Sequence, residues 1–231
     1  MTEGPGFHNR GRHIAPKIRS LLTSLTNEPS QYDKIAPMIE YWIEYVLREQ
    51  LTTVEELVEG VSYAAWDQGG SFESVGRFLK EFRGAPRRSE QAKSLVDKLC
   101  PHVLQWFAIA SAQSLPMDLS QWEWPHSVAN NGGSGFIRAA SFVGHLIAQE
   151  LLSHELVRRH LVKPLIAHHY TPGDGAQKTI RVIAIYQLFI SAGNTLLRGL
   201  LEPEDVQACL DTLDAHVGAI TVLDGGKLQV R

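Results

Sequence analysis

The residues best suited to chemistry in this chain are its ten histidines, and the pattern to test first is His154, His160, His168 and His169 as a metal set. Helical ligands must stand three or four positions apart to share a face. His154 and His160 are six apart, and His168 and His169 diverge, so this spacing predicts helix-end and surface histidines. A nucleophile elbow fares no better, because Gly132-Gly133-Ser134-Gly135 meets Phe136 where the second glycine belongs. No phosphate-cradling Gly-Lys-Ser loop occurs either. The acidic pairs Glu55-Glu56 and Glu204-Asp205 sit where helix N-termini favour negative charge, so the helix dipole accounts for them. The expectation is a non-enzyme with no catalytic residue, no metal and no cofactor.

Two basic clusters and one aromatic pair are candidates for binding. Arg83, Arg87 and Arg88 share an inter-helix loop, and Arg158, Arg159 and Lys163 lie about one turn apart on another helix. Such clusters are either solvated surface or contacts for an acidic partner or an RNA backbone. Trp122 and Trp124 flank Glu123 in a polar, proline-bounded loop. Side chains two apart on an extended segment point to opposite sides, so one can dock on the protein while the other is free. One reading docks both against the protein itself; the alternative is a tryptophan anchor for a partner, the residue type that dominates interface energetics. Trp42, Trp66 and Trp106 fall within helical patterns and are expected in the core.

The 231 residues are 44% apolar, enough for a continuous core, and the net charge is −3. That balance argues against a surface coated for non-specific nucleic-acid binding. Cys100 and Cys209 lie on apolar stripes without zinc or redox spacing, which predicts buried thiols in a reducing compartment, the cytoplasm or the nucleus. No stretch approaches the roughly 18 apolar residues of a membrane span, and no signal-peptide core precedes Arg12.

The elements that must position these residues are helices. Ile14, Ile18, Leu21, Leu22 and Leu25 recur with a 3.6-residue period. The stripe restarts with Ile35, Met38, Ile39, Trp42 and Val46, and again with Val54, Leu57, Val58, Val61 and Ala65. Ser30 with Asp33 and Thr53 with Glu56 carry capping signatures, Ser71 caps a helix to Phe82, and Pro37 predicts a kink or a later start. A fifth helix spans 89–115, bent at Pro101. Residues 116–135 are expected as a loop insertion, followed by helices over 136–152, 154–168, 177–197 and from Pro203 to 217. The leader 1–12 is expected to be disordered and 218–231 to be a tail around a single domain at 13–217. The predicted class is all-α, an α-solenoid of about five antiparallel helix pairs with HEAT-like or armadillo-like repeats.

The order of these stripes resembles the middle domain of the eukaryotic initiation factor 4G family. Ile18-Arg19-Ser20-Leu21-Leu22-Thr23-Ser24-Leu25-Thr26 is similar to its first helix, Val54 to Glu59 to its third, and Ser71 to Leu79 to the entry of its fourth. Phe136 to Ile147, followed by Glu150-Leu151-Leu152, is the best single match. The chain departs from the pattern at Gly69-Gly70, at His145 and over 119–135. The resemblance implies stacked helix pairs in a scaffold of messenger-RNA metabolism or translation that binds a DEAD-box RNA helicase, with RNA as a further candidate contact. Without a helicase, the alternative is a general helical-repeat module that recognises a peptide or protein partner. Residues to test under either reading are Arg83, Arg87, Arg88, Trp122, Trp124, Arg158, Arg159 and Lys163.

Overall fold

The computed structural model describes residues 16–67, 72–86, 89–112, 132–159 and 175–197, with short pieces at 203–204, 207–208, 210–211, 220–222 and 228–230. The described part is all-α apart from one short β-hairpin, and helices carry nearly all of its core. The chain divides into two compact units, Met1–His102 and Val103–Arg231, and their boundary falls inside a helix.

In the first unit α1 spans Pro16–Asn27 and buries Ile18, Leu22 and Leu25 as its period predicts. A 3₁₀ turn at Pro29–Gln31 leads into α2, Tyr32–Arg48. The signature at Ser30 and Asp33 does not cap it, because the 3₁₀ turn moves the N-cap to Gln31, which makes no side-chain cap bond. Pro37 lies inside α2 without delaying its start; lacking an N–H, it leaves the Asp33 carbonyl without its usual helical donor.

α3, Val54–Asp67, begins with the reciprocal box that its sequence announces. The Glu56 N–H donates to Thr53 Oγ1 at 3.2 Å, and the Thr53 N–H donates to Glu56 Oε2 at 3.1 Å. α4 spans Glu73–Gly84, with Phe72 rather than Ser71 at its N-cap; Ser71 and the Gly69-Gly70 pair lie outside the described residues. Phe78 and Phe82, ring centroids 5.5 Å apart, are fully buried on its inner face. α1 packs against α2, α3 and α4, so the first helix is the hub of this unit.

α5, Glu90–Ala112, starts on Ser89, whose hydroxyl accepts the Ala92 N–H at 3.2 Å. The same hydroxyl donates to Glu44 at 3.0 Å, and the Ser89 N–H donates to that carboxylate at 3.3 Å, tying the entry of α5 to α2. Arg83 to Asp97 and Lys98 to Glu55 add ion pairs from α5 to α4 and α3.

In the second unit α6 runs Gly132–Ala148, so Gly132 to Gly135 belong to a helix and not to the loop expected over 116–135. After five intervening residues comes α7, His154–Val157, which starts on Ser153, whose hydroxyl accepts the Leu156 N–H at 3.4 Å. A π-turn at Arg158 and Arg159 follows. α8, Gly175–Ala192, starts two residues earlier than expected, and Gly193 at φ 57° separates it from α9, Asn194–Leu197, where one helix was predicted. α6 and α8 form the main helix pair of the unit. Short helical pieces occur between Pro203 and Asp211, and Leu210, assigned to a buried stripe, is exposed. Within the expected tail, β1 (Ile220–Val222) pairs antiparallel with β2 (Leu228–Val230), Ile220 opposite Val230. Among the described residues no helix is long and apolar enough to cross a membrane.

Candidate interaction surface

α2 carries two apolar stripes, and only one is core. Tyr32, Ile35, Ala36, Ile39, Ile43, Val46 and Leu47 are buried, a face of a 3.6-residue helix that α1 and α4 cover. Successive residues advance by about 100°, which puts Met38, Tyr41 and Tyr45 on the opposite side and Trp42 on the flank, about a quarter-turn from the middle of the buried face. Met38 is 45% and Tyr41 60% exposed, while Trp42 and Tyr45 are half-buried. Met38 and Trp42 therefore leave the buried stripe to which their spacing assigned them; Ile43 supplies the core position instead. Trp66 and Trp106 have side chains outside the described set.

The outer stripe is internally ordered. Tyr41 and Tyr45, one turn apart, stack with planes 14° from parallel and centroids 6.1 Å apart. Trp42 stands edge-on to both, at 5.8 Å from Tyr41 and 5.6 Å from Tyr45. Two cations rest on the rings: Lys17 Nζ of α1 lies 4.7 Å from the Trp42 centroid, and Arg48 Cζ lies 5.9 Å from that of Tyr45. Arg48 also holds Glu49 at 3.1 Å. Rings that contact one another lose less side-chain freedom when a ligand arrives, so the patch is pre-ordered for docking.

On the buried face of α2, Tyr32 donates to Glu81 at 2.6 Å, and Arg77 donates to the same carboxylate at 2.8 Å while lying 4.0 Å from the Tyr32 ring centroid. Burial first, then the Glu81 carboxylate, pushes the Tyr32 hydroxyl well above its ordinary range. The Tyr32 hydrogen bond, seconded by Arg77, holds Glu81 below the usual carboxylate value. This trio fastens α2 to α4 and so sets the orientation of the outer stripe.

Of the residues singled out by sequence, Arg83 pairs with Asp97 at 2.9 Å, which ties it to the fold although about half of its side chain is exposed. Arg87 and Arg88 lie outside the described residues, as do Trp122, Trp124 and Lys163. Arg158 is half-buried and Arg159 exposed on the π-turn after α7. Ser134 falls in the first turn of α6 instead of a loop. His154 opens α7, whereas His160, His168 and His169 lie outside the described residues. Among the described residues no group of three or more His, Cys, Asp or Glu is placed to hold a metal ion. Cys100 is buried, and burial pushes its thiol up to about 12; Cys209 lies outside the described residues.

Sequence reasoning missed the outer stripe because it counted one stripe per helix. The signal was present: isoleucines at 35, 39 and 43 already supply a complete buried face, which leaves Met38, Tyr41, Trp42 and Tyr45 in excess. Comparison with protein families, curated proteins and solved structures returns no match.

Proposed function

We propose that this chain is a non-enzymatic adaptor, a helical-repeat scaffold of α-solenoid type whose task is to hold a protein partner. The observation that carries this reading is the ordered aromatic stripe of α2, with Lys17 and Arg48 resting on its rings. Tyrosine, tryptophan, methionine and arginine are the residue types enriched in the centres of protein interfaces. A narrower form places the adaptor in messenger-RNA metabolism or translation, with a DEAD-box RNA helicase as the partner and RNA as a secondary contact. That form draws on the resemblance of 14–217 to the initiation factor 4G middle domain and on the basic groups Arg83, Arg158 and Arg159. By differential binding to one arrangement of the two helicase lobes, such a scaffold would shift the helicase toward it.

The test is affinity capture from ribonuclease-treated lysate, with the wild type and with Tyr41→Ser/Tyr45→Ser as parallel baits. A protein retained by the first and lost from the second supports the adaptor reading, and a DEAD-box protein in that position supports the narrower form. Identical captured sets contradict the assignment to α2. A helicase lost from Arg158→Glu/Arg159→Glu but kept by the tyrosine variant would move the site to the basic turn.

A further inference from the structure

We infer that the outer face of α2 receives an acidic amphipathic helix of a partner protein, with an apolar centre and carboxylates toward its ends. This deepens the adaptor reading and rests on it. The first ground is the charge pattern on the stripe. Lys34 lies near the start of α2, Arg48, which also holds the neighbouring Glu49, at its end, and Lys17 of α1 against Trp42, all three cations exposed. Between the end cations lie Met38, Tyr41 and Tyr45. The second ground is length: the fourteen steps from Lys34 to Arg48 span roughly 21 Å of helix axis, which matches about four turns of a partner helix.

The third ground is the flank. Asp33, Glu40 and Glu44 line one side of α2, about a quarter-turn from the buried face, and Glu44 is held there by Ser89. A polyanionic backbone needs a continuous positive track and would meet these carboxylates. A helix with localised acidic groups satisfies the cations at the ends of the stripe and keeps its other faces clear of the acidic flank. The apolar centre supplies affinity by covering Met38, Tyr41 and Tyr45, and the charges fix register and speed the encounter.

The experiment uses the full chain and three labelled probes read by fluorescence anisotropy. These are a fourteen-residue helix with a leucine face and glutamates at both ends, the same helix with lysines in their place, and oligouridylate. The acidic helix is expected to bind and the lysine helix to bind at least about tenfold more weakly. Lys17→Glu/Arg48→Glu should reverse that order, while Lys17→Arg retains it; all substituted positions are exposed, and circular dichroism confirms the fold of each variant. The inference is overturned if the acidic helix fails to bind, if charge reversal leaves the preference unchanged, or if oligouridylate binds more tightly. A dimer that Tyr41→Ser dissolves would overturn it too, by giving the face to a second copy of the chain. Capture of a lysate partner that depends on Tyr41 and Tyr45 but not on Lys17 or Arg48 would end this inference and leave the adaptor reading standing. Independence from all four residues would end both.

Discussion

Gly144 of α6 lies so close to Leu188 of α8 that a Cβ on the glycine would stand 2.8 Å from the Leu188 carbonyl oxygen and 2.6 Å from the Ser191 Cβ. Backbone cannot step aside as a flexible side chain would, so this contact fixes how near the two helices come. The Ser141 and Ser191 hydroxyls meet at 2.9 Å in the same interface. Gly144→Ala should therefore destabilise the protein by about 1–3 kcal/mol in urea unfolding, despite the better helix propensity of alanine. Gly84 at the end of α4 is the control, since its Cβ would meet nothing within 4 Å, and Gly84→Ala should be neutral or stabilising by about 0.5 kcal/mol.

Two helices end in the same motif without the usual glycine. The Leu51 N–H donates to the Val46 carbonyl and the Gln50 N–H to that of Leu47, with Gln50 at φ 53°. Leu151, Leu146, Glu150 and Ile147 repeat the pattern at the end of α6, with Glu150 at φ 59°. Left-handed backbone costs a non-glycine residue about 1–2 kcal/mol, and glycine gives back about 0.5–1 of that through its unfolded-state freedom. Gln50→Gly should thus raise stability by about 0.5 kcal/mol, seen as a higher melting temperature. Gly193→Ala, at φ 57° with open space around it, should lower stability by about 1 kcal/mol.

Ser89 acts in two directions, capping α5 and holding Glu44 of α2. Ser89→Ala should cost about 1–2 kcal/mol, whereas Glu44→Gln, which keeps an acceptor, should cost less than half as much. Chemical denaturation of the two variants beside the wild type checks the order.

The Tyr32–Glu81 bond makes stability depend on pH at both extremes. Glu81 has a folded value below its unfolded one, so its contribution is present above the ordinary value of about 4.3 and is lost as pH falls through the lowered one. Tyr32 has a folded value above its unfolded one, so its contribution is complete below about 10 and is lost as pH rises further. Tyr32→Phe removes the donor and should flatten both limbs of a plot of urea midpoint against pH. Unchanged limbs would show that the bond does not link α2 to α4 in solution.

The sequence made some of this legible and hid the rest for physical reasons. The Thr53–Glu56 box and the Ser89 and Ser153 starts are local: donor and acceptor lie within three residues, so spacing alone states the bond. The stripes of α1 and α3 read correctly at Ile18, Leu22 and Leu25 and at Val54, Leu57, Val58 and Val61, each a single apolar face among the described residues. α2 holds two, and periodicity cannot say which of two faces the rest of the chain will cover. The cation on Trp42 was unreadable for a related reason, since Lys17 lies on another helix. The cap at Ser30 failed because Pro29 fits the 3₁₀ turn that displaced it. Arg83, chosen for its charge, proved to have its partner in Asp97, fourteen positions away and likewise invisible to local patterns.

The measurement that bears most directly on the central claim is hydroxyl-radical footprinting of the protein with and without its captured partner, read residue by residue by mass spectrometry. Met38, Tyr41, Trp42 and Tyr45 are intrinsically reactive side chains, so each reports on its own cover. The account predicts that the partner protects these four together, with Tyr41, the most exposed of the stripe, changing most. Unaltered oxidation of all four in the bound state, with protection elsewhere, would contradict it.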